Sequence, residues 1–208
     1  LRILQKKGEV KIFSEDYKAF STGKSDIKEN QERLFLCTCY EAEKEVIPSA
    51  LNYTGGKYKL LPQILPLFPQ DADIAVDLFC GGCNVGINLN CSKVRFNDSN
   101  KYLIGLLDTF KRLPKEEIFE WLYNAIREYH LSLVSENGYG YYGCDSSKGL
   151  GSYNREGYYR LRDVLNSKKE QDDEYYLMLY LLIVYSFNNQ IRFNKKGEFN
   201  LPVGKRDF

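Results

Sequence analysis

The feature that most constrains this fold is a glycine-rich loop placed directly after a short apolar run. The run covers 74–76, and the loop reads Asp-Leu-Phe-Cys-Gly-Gly-Cys-Asn-Val-Gly over 77–86. Glycine has no Cβ and adopts positive φ without strain, so a strand that ends in such a loop lets a ligand approach the backbone closely. A second acidic residue, Asp98, follows about 20 residues later. This combination predicts a pocket for a ligand with a ribose or an amine.

The segments around the loop predict a parallel, doubly wound sheet. We expect a strand at 74–79, a helix at 84–90 and a second strand at 93–97. A helix over 100–113 follows, with its apolar residues on one side. Strand, loop, helix and strand within roughly 30 residues form the βαβ pattern of α/β nucleotide folds. The sequence therefore predicts a Rossmann-like α/β core.

The pattern changes after Pro114. Helices are predicted at 116–130, 157–165 and 173–187, and the last of these is strongly apolar. The stretch 135–154 is rich in Gly, Tyr, Ser and Asn, so we expect a long loop there. This region is interpreted as a helical insertion on the α/β core.

A second glycine-containing segment, Asn-Tyr-Thr-Gly-Gly-Lys at 52–57, precedes a short predicted helix. Its backbone amides and the Lys57 ammonium can converge on a carboxylate or a phosphate. An ordinary turn with a solvated lysine explains the same residues, and the spacing is not that of a Walker A loop. The helix is expected to be short, because Pro62 fits only a first turn and Pro66 favours an early end.

Composition excludes several classes of protein. With 208 residues and a net charge of +1, the chain is not a uniformly basic nucleic-acid binder, although 188–208 carries five Lys or Arg against two acidic residues. Six cysteines form no convincing disulfide framework, and there is no signal peptide and no apolar run of about 18 residues. We therefore expect a soluble protein of the reducing cytoplasm, without a membrane partner.

Cys80 and Cys83 form a CxxC pair inside the glycine loop. Such a pair can be a redox dithiol or half of a zinc site, but no second CxxC accompanies it and His130 is the sole histidine. We expect no metal and interpret both cysteines as small residues that fill a tight loop. Asp98 is placed where α/β folds bind ribose hydroxyls, and it could also cap the helix that follows.

A third segment, 186–206, concentrates polar and basic residues. Asn, Gln and Arg, which read adenine and guanine edges in the major groove, occur together at 188–192. Cations suited to phosphates follow: Lys195, Lys196, Lys205 and Arg206. A polar β-hairpin that turns at Lys196-Gly197 would have the same composition, so the residues alone leave both interpretations open.

Together, and in this order, the three segments resemble the Dam-type (D12 class, alpha-group) DNA adenine N6 methyltransferases, especially the phage T4 Dam branch. The resemblance rests on YTGGKYKLLPQILPLFP, on AVDLFCGGCNVGINLN followed by RFNDSNKYLIGLL, and on FNNQIRFNKKGEFNLPVGKR, over about three-quarters of the chain. It implies S-adenosylmethionine as cofactor and double-stranded DNA as partner. It also implies a Rossmann-like methyltransferase core with an inserted, mainly helical target-recognition domain that carries a β-hairpin.

The resemblance implies roles by position. Tyr53 and Lys57 match the motif that meets the methionine end of the cofactor, Asp98 matches the ribose acid, and Arg192 matches a residue that reads a guanine in a GATC-type target. The implied cofactor-binding residues are Tyr53, Gly56, Lys57, Asp77, Phe79, Gly81, Asp98 and Ser99. The implied DNA-binding residues are Arg162, Phe187, Asn188, Asn189, Gln190, Arg192, Asn194, Lys195, Pro202, Lys205 and Arg206.

The catalytic motif of this family, Asp-Pro-Pro-Tyr, does not occur in the sequence. Its groups hold a flipped adenine so that the amine faces the methyl group. We therefore expect an N-terminal portion of such an enzyme, inactive alone. The predicted divisions are an extension at 1–45, the cofactor-binding part of the core at 46–113 and the target-recognition domain at 114–208.

We expect a monomer, and a cognate restriction endonuclease is a candidate partner. Two alternatives stay open. One is a catalytically inactive DNA-binding remnant of a methyltransferase, and the other is a nucleotide-dependent oxidoreductase that uses the glycine loop.

Overall fold

The computed structural model describes residues 46–208, which form two compact units. We call them the sheet unit (residues 46–49 with Gly56–Ser99) and the helical unit (Ala50–Gly55 with Asn100–Phe208). The predicted extension at 1–45 lies outside the described residues.

Two parallel strands organise the sheet unit. β1 (Ile74–Asp77) pairs with β2 (Lys93–Phe96), with Ile74 beside Lys93 and Asp77 beside Phe96. The predicted strands and their parallel pairing are confirmed. Because parallel strands end at the same edge of a sheet, the glycine loop after β1 and Asp98 after β2 begin from that one edge.

The connection between the strands differs from the prediction. The expected helix at 84–90 is wrong, since only a single 3₁₀ turn, Gly86–Asn88, forms there. The side chain of Asn88 explains this: its Nδ2 donates to the Asn84 carbonyl at 2.7 Å, the acceptor that the Asn88 amide would use in an α-helix. The amide donates to Val85 O instead, at 3.0 Å. A side chain thus competes successfully with the helical ladder.

The same two asparagines attach the segment 46–49 to the sheet unit. Asn88 accepts from the Ile47 amide and donates to the Ile47 carbonyl, both at 2.8 Å. Asn84 is buried and accepts from the Ser49 amide at 3.0 Å. Ahead of β1, the predicted short helix is confirmed as α1 (Leu61–Ile64), with a 3₁₀ turn on each side: Tyr58–Leu60 and Leu65–Leu67.

Five helices build the helical unit: α2 (Lys101–Arg112), α3 (Lys115–Glu128), α4 (Val134–Tyr141), α5 (Gly151–Ser167) and α6 (Asp173–Tyr185). Nine of the thirteen residues of α6 are buried, because it packs against α2, α3 and α5. The predicted helices at 100–113, 116–130, 157–165 and 173–187 are confirmed.

The predicted long loop at 135–154 is wrong, since α4 and the first turn of α5 occupy much of it. Gly138 breaks the helical pattern inside α4 with φ of 73°. A buried polar network fixes this region instead of an apolar stripe. The Tyr142 hydroxyl accepts from the Leu133 amide at 2.8 Å, and Asn154 Oδ1 accepts from the Ser132 amide at 2.7 Å. Tertiary hydrogen bonds of this kind leave no periodic signal in a sequence.

At the level of fold class, the chain is a mixed α/β protein with a small parallel sheet and helices, as predicted. Within residues 46–208, no helix combines the length and the apolar character that crossing a membrane requires.

Candidate cofactor and DNA sites

Two carboxylates hold the glycine loop at the edge of the sheet. Asp77, the last residue of β1, accepts from the Gly86 amide through Oδ2 at 3.0 Å. Asp98, which follows β2, accepts from the Gly81 amide through Oδ2, also at 3.0 Å. The structure therefore attaches both predicted acids, Asp77 and Asp98, to amides of the glycine loop.

The environment of Asp77 disfavours its charged form. Burial raises the pKa of the carboxyl above its ordinary value of 3.8, the Gly86 hydrogen bond lowers it, and the nearby Asp98 charge raises it. The two acids are thus close enough to interact electrostatically. Asp98 remains half-buried, with the acceptor capacity of a carboxylate that has about four lone-pair sites.

The backbone of the loop needs small residues. Gly81 has φ of 47° and Cys83 has φ of 64°, both in the left-handed region. A Cβ placed on Gly86 would lie 2.3 Å from the Phe96 ring and 2.9 Å from Asp77 Oδ2. Glycine at 86 is therefore what lets the loop fold back against β2 and the Asp77 carboxylate.

Cys80 and Cys83 lie inside the loop and are buried. The Cys83 amide donates to the Cys80 carbonyl at 2.7 Å, which closes a tight turn. Two causes raise the pKa of Cys83 far above its ordinary value: chiefly its hydrogen bond with the Cys80 thiol, and secondly its burial. The reactive thiolate form of Cys83 is therefore suppressed. In the part of the chain that the structure describes, no group of three or more His, Cys, Asp or Glu residues is placed to hold a metal ion.

The other predicted cofactor residues are distributed around this loop and along the chain. Phe79 is 75% exposed, an unusual position for a phenyl ring, and Ser99 is exposed at the end of the sheet unit. Gly56 and Lys57 are exposed, and the Lys57 carbonyl accepts from the Leu60 amide at 2.9 Å. Tyr53 is half-buried and belongs to the helical unit.

Asp98 does not cap the helix after it. The N-cap of α2 is Asn100, whose side chain accepts from the amides of Tyr102 and Leu103 at 3.1 and 3.3 Å. The capping alternative for Asp98 is therefore wrong.

The predicted DNA-reading segment begins with a sharp turn after α6. Asn188 and Asn189 have φ of 60° and 51°, a conformation that Asn tolerates better than most residues. The turn leaves Phe187 and Asn188 exposed. Asn189 faces inward, because its Nδ2 donates to the carbonyls of Ile183 and Val184 at 3.2 and 2.9 Å. The side-chain amide of Asn189 thus donates hydrogen bonds to carbonyls of the last turn of α6, which lack partners within the helix.

Asn189 and Gln190 also contact the segment that carries Tyr53. Asn52 Nδ2 donates to Asn189 Oδ1, and Gln190 Nε2 donates to Thr54 Oγ1, each at 3.5 Å. Within the helical unit, residues 52–54 therefore lie against the start of the predicted DNA-reading segment.

A narrow hairpin carries Arg192 and the lysines. The predicted hairpin consists of two isolated antiparallel bridges, Ser186 with Val203 and Phe193 with Phe199. Its turn is set by Asn194, whose Oδ1 accepts from the Lys196 and Glu198 amides at 2.9 and 3.0 Å, while Lys195 is exposed. The Asn194 side chain is thus used in the turn itself.

Arg192 is exposed and held from one side. Its Nε donates to Asn200 Oδ1 at 2.9 Å, and its Nη2 donates to the Asn200 carbonyl at 3.2 Å. Sequence reasoning did not select Asn200. The two residues are eight positions apart, so only the hairpin register, which the sequence did not specify, brings them together.

The returning arm of the hairpin is bonded to the turn after α6 and to the start of α5. The Phe187 amide donates to the Pro202 carbonyl at 2.9 Å, and the Leu150 amide donates to the Lys205 carbonyl at 3.0 Å. The side chains of Pro202, Lys205 and Arg206 are exposed. This arm therefore presents its two cations from a backbone that is held in place.

Arg162 lies on α5, where its guanidinium sits 4.5 Å from the centre of the Tyr159 ring. Its Nε is buried, 3.9 Å from Asp163 Oδ1, and makes no hydrogen bond to the described residues.

Comparison with known proteins defines the family. A model described as D12 class N6 adenine-specific DNA methyltransferase matches residues 53–207. The chain belongs to this family. Relatives of the chain include the Type II methyltransferase M.FokI of Planomicrobium okeanokoites, 43% identical over 76% of this chain and 21% of that protein.

Two other relatives carry related names. Modification methylase StsI of Streptococcus sanguinis is 36% identical over 78% of this chain and 21% of its own length. The DNA adenine methylase of Escherichia coli strain K12 is 30% identical over 74% of this chain and 47% of its own length. The chain thus spans about a fifth of the first two relatives and about half of the third.

Proposed function

We propose that this sequence carries the S-adenosylmethionine site and the DNA-recognition residues of an enzyme that methylates the N6 amine of adenine in double-stranded DNA. The observation that carries the proposal is the match of residues 53–207 to the D12 family. The arrangement of Asp77 and Asp98, which hold a glycine loop at the ends of two parallel strands, supports it.

The residues of the sheet unit fit S-adenosylmethionine. Asp98, at the end of β2, is the residue proposed to accept hydrogen bonds from ribose hydroxyls, and the exposed Phe79 ring, two residues before Gly81, offers an apolar surface. The exposed Lys57 suits the carboxylate of the methionine part, and Gly56 and Ser99 are the other proposed residues of this unit. Tyr53 is proposed from the resemblance alone, since it belongs to the helical unit. When bound, the cofactor supplies an electrophilic methyl group on a sulfonium.

The helical unit supplies the proposed DNA contacts, as the target-recognition domain at 114–208. Arg192 presents a planar guanidinium that can bond a guanine edge bidentately, and exposed Phe187 and Asn188 suit entry into the duplex. Exposed cations suit the phosphates: Lys195, Lys205 and Arg206. We propose a GATC-type target from the residues at 188–192.

The biological role, the localisation and the oligomeric state belong to the same proposal. The relatives named Type II methyltransferase and modification methylase favour a restriction–modification role, with a cognate endonuclease as partner. A cytoplasmic monomer is the expected state.

Equilibrium dialysis of the chain against labelled S-adenosylmethionine and labelled NAD tests the cofactor. We expect S-adenosylmethionine to bind, NAD not to bind, and Asp98→Asn to weaken binding. Asp73→Asn is the matched control, because Asp73 is an exposed acid of the same unit that lies outside the loop. A preference for NAD would support the oxidoreductase alternative, and DNA binding without any cofactor binding would support the inactive remnant.

A further inference from the structure

The hairpin has an outgoing arm, which ends at Phe193, and a returning arm, which begins at Phe199. The two arms are anchored differently. The returning arm is held by hydrogen bonds from α5. Asn166 Oδ1 accepts from the Phe199 amide at 2.8 Å, its Nδ2 donates to the Phe199 carbonyl at 3.1 Å, and the Tyr158 hydroxyl donates to the Leu201 carbonyl at 3.0 Å. Phe199 itself is 1% exposed. This arm is part of the core of the helical unit.

The outgoing arm is held by an aromatic stack. Phe193 lies face to face with Tyr102, with ring centroids 3.6 Å apart and planes 13° apart. Phe193 also meets the edge of the Phe199 ring at 5.6 Å. The phenyl ring is thus enclosed between α2 and the returning arm.

Tyr102 is itself a rigid support. It lies in the first turn of α2, where the Asn100 side chain accepts from its amide at 3.1 Å. Its hydroxyl extends over the hairpin turn, 3.7 Å from where a Cβ on Gly197 would lie. A capped helix therefore fixes the ring against which the outgoing arm rests.

The stack determines how Arg192 is presented. Neighbouring residues of an extended arm point to opposite sides, so an inward Phe193 requires an outward Arg192. Arg192 is exposed accordingly, and Asn200 holds its guanidinium from within the hairpin. If Phe193 lost its support, the outgoing arm would keep its bonds to the returning arm but lose its attachment to α2.

We propose that Tyr102 is a positioning residue for DNA reading: it stacks on Phe193 and so fixes the arm that presents Arg192. Tyr102 does not need to touch DNA for this role. The inference rests on the proposed function, because it assigns a task within the DNA-recognition segment.

Two measurements on the full chain test the inference. Limited trypsin digestion under native conditions reports the order of the arm through cleavage after Lys195 and Lys196. Fluorescence anisotropy reports affinity for a duplex that carries one GATC site and for the same duplex with the site scrambled. The variants are Tyr102→Ala, Tyr102→Leu, which keeps apolar bulk without a stack, and Tyr102→Phe, which keeps the stack.

We expect Tyr102→Ala and Tyr102→Leu to be cleaved several-fold faster and to lose on the order of tenfold in preference for the GATC duplex. Tyr102→Phe should match the wild type in both measurements. Tyr141→Ala is the control, because Tyr141 is a 72% exposed tyrosine on α4, outside the hairpin.

The outcomes separate the inference from the proposed function. Faster cleavage with unchanged duplex preference overturns the inference alone, and so does unchanged cleavage in Tyr102→Leu. A wild-type chain that binds no duplex overturns the proposed function and the inference with it, while the digestion still reports whether Tyr102 anchors the arm.

Discussion

Single carboxylates decide how the glycine loop is held, and Asp77 shows this most clearly. Folding raises the pKa of Asp77, mainly through burial, so the folded state favours the protonated acid. Its stabilising contribution is therefore complete below the ordinary pKa of 3.8 and is lost as the pH rises through the raised value.

Asp77→Asn should therefore gain stability relative to the wild type as the pH rises from below 3.8 to neutral. The side-chain amide of the variant keeps an oxygen that can accept from the backbone amide of Gly86, but this side chain cannot ionise. Urea unfolding of both proteins at a series of pH values measures the difference. A difference in unfolding free energy that does not change with pH would contradict this account of Asp77.

Under the proposed function, Arg192 is the hairpin residue best suited to read a base edge. Arg192→Lys keeps the charge but removes the planar fork that bonds Asn200 and suits a guanine edge. We expect a loss of about 1–3 kcal/mol in discrimination between a GATC duplex and a scrambled one. Arg155→Lys, an exposed arginine on α5, is the control. An equal loss of affinity for both duplexes would instead assign Arg192 to phosphate contact.

Among the elements, α5 depends on a glycine at its point of closest packing. A Cβ on Gly157 would lie 1.9 Å from the Tyr129 carbonyl oxygen, whereas a Cβ on Gly140 in α4 would meet nothing within 4 Å. Alanine normally stabilises a helix interior relative to glycine. The two sites should therefore respond with opposite signs.

We predict that Gly157→Ala destabilises the chain by about 1–3 kcal/mol, because backbone must move to admit the methyl group. Gly140→Ala should be neutral or stabilising by up to about 1 kcal/mol. Thermal unfolding of the two variants compares them directly. A Gly157→Ala variant as stable as the wild type would mean that α5 does not pack on the Tyr129 carbonyl as described.

The elements also show what the sequence could predict. β2 and the helices with an apolar stripe were predictable, because burial imposes a period on the residue pattern. β1 was predictable from its short apolar run before the glycine loop, although Ile74 and Val76 are exposed. The false helix at 84–90 and the missed α4 have a common cause. The Asn88 side chain donates to the Asn84 carbonyl, and the side chains of Tyr142 and Asn154 accept from backbone amides just before α4. Hydrogen bonds from side chains therefore determine the backbone conformation of both segments. Side-chain bonds of this kind leave no periodic signal in the sequence.

For the molecule as a whole, order along the chain was more informative than any one motif. The loop acids Asp77 and Asp98 were predicted from spacing, and the structure places both on loop amides. Tyr102, Asn166 and Asn200 were not predicted, because their partners at 192–199 depend on the hairpin register. Residues that support a site are harder to find than residues that form it.

The two units divide the proposed tasks. The loop acids lie in the sheet unit, and the hairpin lies in the helical unit. Tyr53 belongs to the helical unit, although the resemblance assigns it to the cofactor. Under the proposed function, we therefore expect Asp98→Asn to weaken cofactor binding and Arg192→Lys to weaken DNA reading, each without the other effect.

The most direct test of the central claim is to map modified bases in the DNA of cells that express the full gene in which this sequence lies. The account predicts N6-methyladenine at one short recognition sequence, of GATC type, and its loss in cells that express the Asp98→Ala variant. DNA without adenine methylation, or methylation only of cytosine, would contradict the assignment of this chain to adenine methyl transfer.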